Sequence, residues 1–267
     1  MRGFSGAGNR FVLVDEREEC ADAAQRARAP RSASDIPAAA DGTLRLVPPR
    51  AGGDARLEIT NRDGSRAAAC GNGLRCVGLY LFERGEIGAR AARIETDAGE
   101  RTVEIVRRGL AVAVLRAGMG KAEGVSLSSP VEHEGERFSA RAVRLGNPHL
   151  VLRVADERRA PVAALGRRLQ SHPDFPDGVN VGFLAWRDER WHLRVFERGV
   201  GETHACGSGA CAAAWALCEA GEGAGCVEIQ MAGGRLSVEF DPRGELFLIG
   251  DAREEDPAGW ESPRGRP

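Results

Sequence analysis

Two strings in this 267-residue chain set a cysteine ahead of Gly-polar-Gly: ACGNGLRC at Ala69–Cys76 and ACGSGAC at Ala205–Cys211. Both lead into apolar stretches that read as buried helices. A helix N-terminus presents backbone N–H groups and the positive end of the macrodipole, and glycine there lets a ligand approach the backbone. Each string is therefore a candidate carboxylate cradle. The same field lowers the pKa of a thiol from its usual value of roughly 8.5, so Cys70 and Cys206 are expected to be part thiolate near neutral pH. Two such helix starts facing each other could hold one carboxylate through Gly71, Asn72, Gly207 and Ser208, with a sulfur on each face of the adjacent carbon. One thiolate would remove the α-proton and the opposite thiol would protonate the far face, inverting the stereocentre. The cradle would stabilise the charge developing at the carboxylate, and a pair sharing one proton titrates as a dyad.

The elements around the two strings repeat with them. GNRFVLVD at 8–15 falls on GNPHLVLRV at 146–154, and AGERTVEIVRRG at 98–109 falls on GGRLSVEFDPRG at 233–244. Three landmarks in the same order argue for two copies of one half. Each half reads as a strand after Gly-Asn, further β-rich segments, the cysteine string with its helix, and a hairpin. Gly85 and Gly221 are placed to stop the helices. The expected fold is α+β, with two pseudo-symmetric domains from an internal duplication. Each is a mostly antiparallel curled sheet or barrel around a central buried helix, with the active site in the interdomain crevice. The expected domains are 1–118, carrying Cys70, and 119–250, carrying Cys206, joined through a Gly-flanked turn near 116–124. The tail 251–267 is expected to be loose overall but to pack back on the first half, with Trp260 as its anchor.

Composition narrows the function. The net charge of −2 and pI near 6.3 give no basic footprint for nucleic acid, and no apolar run approaches the ~18 residues of a membrane span. The N-terminus lacks the apolar core of a signal peptide, so a cytoplasmic protein is expected. The only lysine is Lys121, in that same Gly-flanked turn, which leaves a pyridoxal-phosphate enzyme without a promising Schiff-base residue. Seven cysteines without a CxxC pair or matching histidines fit neither a disulfide framework nor structural zinc. Cys76, Cys211, Cys218 and Cys226 are read as small core residues. His133, His172 and His192 carry no pattern, His204 reads as an exposed loop histidine, and Glu83 and Arg84 read as helix-end surface charges. The five asparagines Asn9, Asn61, Asn72, Asn147 and Asn180 are turn formers one by one, yet four have a glycine within two residues.

The strings GAGNRF, NRDGSRAAACGNGLRC, LGNPH, GVNVGF and FERGVGETHACGSGACAAA, in this order across nearly the whole chain, resemble the diaminopimelate epimerase family. The resemblance implies a cofactor-independent isomerase that interconverts LL- and meso-diaminopimelate in lysine and peptidoglycan-precursor synthesis, without a metal and as a homodimer. It implies Cys70 and Cys206 as the acid/base pair, with His149 and Glu197 tuning the thiols. Substrate contacts would come from Asn9, Asn61, Asn147, Asn180, Glu197 and Arg198, and backbone contacts from Gly71, Asn72, Gly207 and Ser208. Arg198 would grip the distal carboxylate, a bidentate task for which lysine is a poor substitute. The chain departs from the family pattern at Arg10, where Asp is usual, at Ala69, where Met is usual, and in SDIPAAADG at 34–42, of which Asp41 and Gly42 fit. Alternatives left open are a racemase of another amino acid and a non-catalytic amino-acid-binding paralogue.

Overall fold

The computed structural model describes residues 2–17, 39–88 and 90–260; Cys20, the first part of the 34–42 segment and the last seven residues of the tail lie outside them. The chain divides into two compact units, Met1–Gly118 with Gly250–Pro267, and Met119–Ile249. Among the described residues no helix is long and apolar enough to cross a membrane.

In the first unit β1 (Arg2–Gly6) and β2 (Asn9–Asp15) form a hairpin, β3 (Gly42–Val47) joins β2 in parallel, and β4 (Ala55–Asn61) returns antiparallel. β5 (Arg66–Ala67) pairs with β4 before helix α1 (Gly71–Glu83). β6 (Ala92–Thr96) then joins β4 in parallel and runs antiparallel into β7 (Gly99–Arg108) and β8 (Ala113–Lys121). β8 pairs with β19 (Glu245–Glu255), whose end lies antiparallel to β1, so β1, β2, β3, β4, β6, β7, β8 and β19 close as an eight-strand barrel.

The second unit holds β9 (Glu123–Val125), a small ribbon of β10 (Val131–His133) and β11 (Glu136–Phe138), β12 (Ala140–Leu145) and β13 (Asn147–Arg153). Helix α2 (Val162–Leu169) leads to β14 (Asn180–Arg187), β15 (Arg190–Glu197) and β16 (Gly201–Thr203). Helix α3 (Gly207–Glu219), β17 (Cys226–Met231) and β18 (Gly234–Phe240) follow. The pairings repeat those of the first unit step by step. β12–β13 matches β1–β2; the parallel pairs β13–β14 and β15–β17 match β2–β3 and β4–β6; β17–β18 matches β6–β7. This repeated order is the structural counterpart of the sequence duplication.

Both central helices are buried and both end alike. Gly85 and Gly221 take φ of 73° and 72°, and their N–H groups bond Phe82 O and Cys218 O while those of Glu86 and Glu222 reach Leu81 O and Leu217 O. This is the double bond of a Schellman cap, which requires the left-handed residue that glycine supplies. Leu74, Val77 and Leu81 of α1 enter a core with Phe4, Leu44, Leu57 and Ile94. α3 buries Ala210, Ala212, Ala213, Ala214 and Leu217, small side chains that let it sit close to its strands.

Three expectations are corrected. The segment 116–124 is not a turn: β8 runs through to Lys121, with Ala113, Leu115 and Ala117 buried in alternation with the half-buried Val114 and Arg116, and Gly118 and Met119 buried after them. Cys226 is exposed and Cys218 half-buried. Cys226 opens β17 on the face opposite Val227, Ile229 and Met231, so the pleat turns it outward. The tail is structured as far as Trp260: β19 extends to Glu255, Asp256 caps the 3-10 turn Pro257–Gly259, and Trp260 Nε1 donates to Glu255 Oε2 at 2.7 Å.

Helix α1 passes close to its sheet at Gly78, where a Cβ would stand 2.3 Å from Val103 Cγ1 and 2.9 Å from Leu115 Cδ2. Gly78→Ala should therefore lower stability by about 1–3 kcal/mol, instead of giving the ~1 kcal/mol gain of an ordinary helical Gly→Ala change. Urea unfolding at constant m-value checks the sign.

Candidate active site

The two cysteines occupy the same local geometry. Cys70 is the N-cap of α1 at φ −143°, ψ 115°, and Cys206 is the N-cap of α3 at φ −133°, ψ 108°. Each Sγ accepts the N–H three residues on, Gly73 and Gly209, at 3.4 Å. Sulfur thus satisfies one of the leading amides that a helix cannot pair internally, and the N–H groups of Gly71, Asn72, Gly207 and Ser208 stand ahead of the capped one. The second glycine of each string has a packing role. A Cβ at Gly73 would meet Leu44 Cδ2 at 2.8 Å, and one at Gly209 would meet Val195 Cγ2 at 3.0 Å.

Around Cys70 the sequence candidates of the first unit converge. Asn72 Nδ2 donates to Asn9 Oδ1 at 2.6 Å, and Asn9 Nδ2 faces Asp41 Oδ2 at 3.5 Å. Asp41 also accepts the Arg10 N–H at 2.9 Å and, through its carbonyl, the Arg62 N–H. It thereby ties the β1–β2 turn to the end of β4, where Asn61 lies opposite Gly42 and bonds Ser65 Oγ. The Arg10 side chain leaves this cluster for the tail, with its guanidinium 5.8 Å from the Trp260 ring centroid and its Nε 3.6 Å from Glu255. Strand alternation separates it from Asn9.

Around Cys206 the second unit assembles the others. Asn180 stands beside His149 in the parallel β13–β14 register, donates to Pro148 O and accepts the Arg198 N–H at 2.8 Å. Asn147 Oδ1 lies 3.0 Å from His149 Nε2. Glu197 ends β15, accepts from Thr203 Oγ1 at 2.5 Å and has its backbone carbonyl held by Gln170. The Arg198 side chain is exposed and donates to Asp177 O at 2.9 Å, crossing so close to Gly178 that a Cβ there would lie 2.9 Å from Arg198 Cδ. Gly178 has φ 82°. Sequence reasoning missed Thr203, Gln170 and Arg75; the signal for the last was a lone charge inside an apolar helix.

Electrostatics correct one expectation. Cys206 is 5% exposed, and burial, then the Glu197 charge, push its thiol well above the ordinary value, outweighing the Ser208 hydroxyl and the Gly209 N–H. The helix field alone would have lowered it. Burial also drives His149 down to about 3, so the imidazole is neutral. Among the described residues no cluster of three His, Cys, Asp or Glu side chains could hold a metal ion.

Because the folded pKa of His149 is depressed, its contribution to stability is full above the unfolded value of ~6.5 and is lost as pH falls toward 3. Unfolding free energy should drop by about 1.4 kcal/mol per pH unit from this one group below pH ~6. Denaturant titrations between pH 6.5 and 5 should show that slope in the wild type and a shallower one in His149→Gln.

The family model described as diaminopimelate epimerase matches residues 4–125 and 141–254. The diaminopimelate epimerase of Stutzerimonas stutzeri is 40% identical over 208 residues, covering 73% of this chain and 74% of the relative. That of Geobacillus kaustophilus is 35% identical over 276 residues, 94% of each chain. In fold, the chain is similar to a Pseudomonas aeruginosa protein described as a predicted epimerase, with a TM-score of 0.70 over 96% of this chain and 97% of that one at 19% identity. A match of this extent, on a chain whose two units repeat one pairing order and cap one helix each with cysteine, makes the protein a member of the diaminopimelate epimerase family.

Proposed function

We propose that this chain interconverts LL- and meso-diaminopimelate by α-proton transfer between Cys70 and Cys206, without a cofactor. The observation that carries the reading is the matched pair of N-cap cysteines, one per unit, in a chain of this family. Inversion needs a base on one face of the α-carbon and an acid on the other, so the proposal requires both sulfurs to reach one substrate. A thiolate takes the α-proton, the electron pair of the C–H bond passes into the carboxylate as an enediolate, and the opposite thiol gives its proton to the far face. The enediolate charge would rest on the N–H groups of Gly71, Asn72, Gly207 and Ser208, where preorganised donors act most strongly. Cys206, buried beside Glu197, is the natural donor in the first step, and the reverse reaction exchanges the roles.

The asparagines would orient the substrate: Asn9 and Asn61 from the first unit, Asn147 and Asn180 from the second, with Arg198 binding the distal carboxylate as a fork. Asn180 supports this by holding the Arg198 backbone. His149, held neutral by burial, would tune the thiol surroundings without itself carrying the proton. A homodimer and cytoplasmic residence complete the reading on the family likeness.

Reduced protein incubated with LL-diaminopimelate in deuterium oxide should yield meso product labelled at the α-carbon, and Cys70→Ala or Cys206→Ala should lower turnover by at least ~10²-fold. Unlabelled substrate after prolonged incubation, or wild-type rates in either variant, would reject the proposal. The role of Glu197 has its own check. Removing its charge in Glu197→Gln should move the pH midpoint of Cys206 alkylation by iodoacetamide downward, and an unmoved midpoint counts against it.

A further inference from the structure

Arg75 is the buried charged side chain of α1, and the mechanism gives it no role. It is 0% exposed, among the largest fully buried side chains of the protein, and it lies on the helix that begins at Cys70. Removing a guanidinium from water is costly unless its donors are used, so its partners define its task. Nη2 donates to Asn72 Oδ1 at 2.8 Å, Nη1 to Gly71 O at 3.4 Å, and Nε to Asp251 O at 3.3 Å.

Each bond constrains a group of the candidate cradle. With Oδ1 of Asn72 turned to Arg75, the Asn72 amide nitrogen must point the other way, and it donates to Asn9 Oδ1 at 2.6 Å. That in turn sets the flip of Asn9, whose own amide nitrogen is left facing Asp41. Holding the Gly71 carbonyl fixes the planar peptide that carries the Asn72 N–H, so the donor is aimed as well.

The duplication supplies an internal comparison. The position equivalent to Arg75, counted from the capping cysteine, is Cys211, and the position equivalent to Asn72 is Ser208. Asn147, the counterpart of Asn9, faces His149 instead. The arginine occurs in the half whose cradle includes an asparagine side chain that needs orienting.

We infer that Arg75 is a positioning residue that sets the Asn72–Asn9 amide pair and the Gly71–Asn72 peptide for substrate binding. The link to substrate rests on the function proposed above; the local orientation does not, and two readouts keep them apart. With five asparagines in the chain, selective 15N-asparagine labelling gives a small set of side-chain NH2 signals. In Arg75→Met the Asn72 and Asn9 signals should shift while those of Asn147 and Asn180 stay, and KM for diaminopimelate should rise at least tenfold. Arg75→Lys, which keeps the cation but loses the fork, should show the same amide shifts with a smaller rise in KM, and it carries the test if the Met variant does not fold. Amide signals that stay put, or unchanged KM and kcat in a variant folded by circular dichroism, would overturn the inference. An inactive wild type would sink the functional reading instead, leaving the amide shifts to decide the local claim.

Discussion

A helix buried inside a barrel has to satisfy its leading N–H groups with whatever lies at its mouth, since water cannot reach them freely and the helix itself offers no acceptor. In this protein the acceptor is sulfur. Sγ of Cys70 and of Cys206 each take one amide at 3.4 Å, and the caps have nearly equal dihedral angles. Much else follows from that arrangement. The glycine three residues after each thiol must lack a Cβ so that the first turn can lie against Leu44 or Val195, and the far end must close with a left-handed glycine. The polar side chains of β2 and β4 in the first unit, and of β13, β14 and β15 in the second, can then gather at the capped end of their own helix.

The two halves share a scaffold and differ in charge. At one layer a buried guanidinium stands in the first unit where Cys211 stands in the second. At another, Glu197 approaches its cysteine from the position that Asn61 holds in the first half. The acid/base pair proposed for these cysteines would present one sulfur as base and the other as acid, and it would benefit from unequal surroundings, because identical ones leave the proton without a preferred seat. Burial and the carboxylate beside Cys206 provide that inequality on one side.

The order of elements was legible because the duplication prints every landmark twice, and the helix ends were legible because a Schellman cap needs glycine. The continuous strand at 113–121 was not, since Gly118 and Gly120 read locally as a turn and only pairing with neighbouring strands overrides that. Cys70 and Cys206 stood out by their repeated motif, and the asparagines by their scarcity and neighbouring glycines, with their roles coming from the family resemblance. The protonation of Cys206 did not, because the helix field is written in the local sequence whereas burial and the approach of Glu197 come from the folded chain. Arg75 was hidden for the same reason: its meaning lies in Asp251 O and the Asn72–Asn9 pair, neighbours that spacing alone does not reveal.

The outward turn of Cys226 at the head of β17 has a practical side. The capping sulfurs are partly or fully enclosed, but this one meets solvent. When stored without reductant, two molecules can join through it, and the covalent product on a non-reducing gel would report ageing of the sample rather than native association.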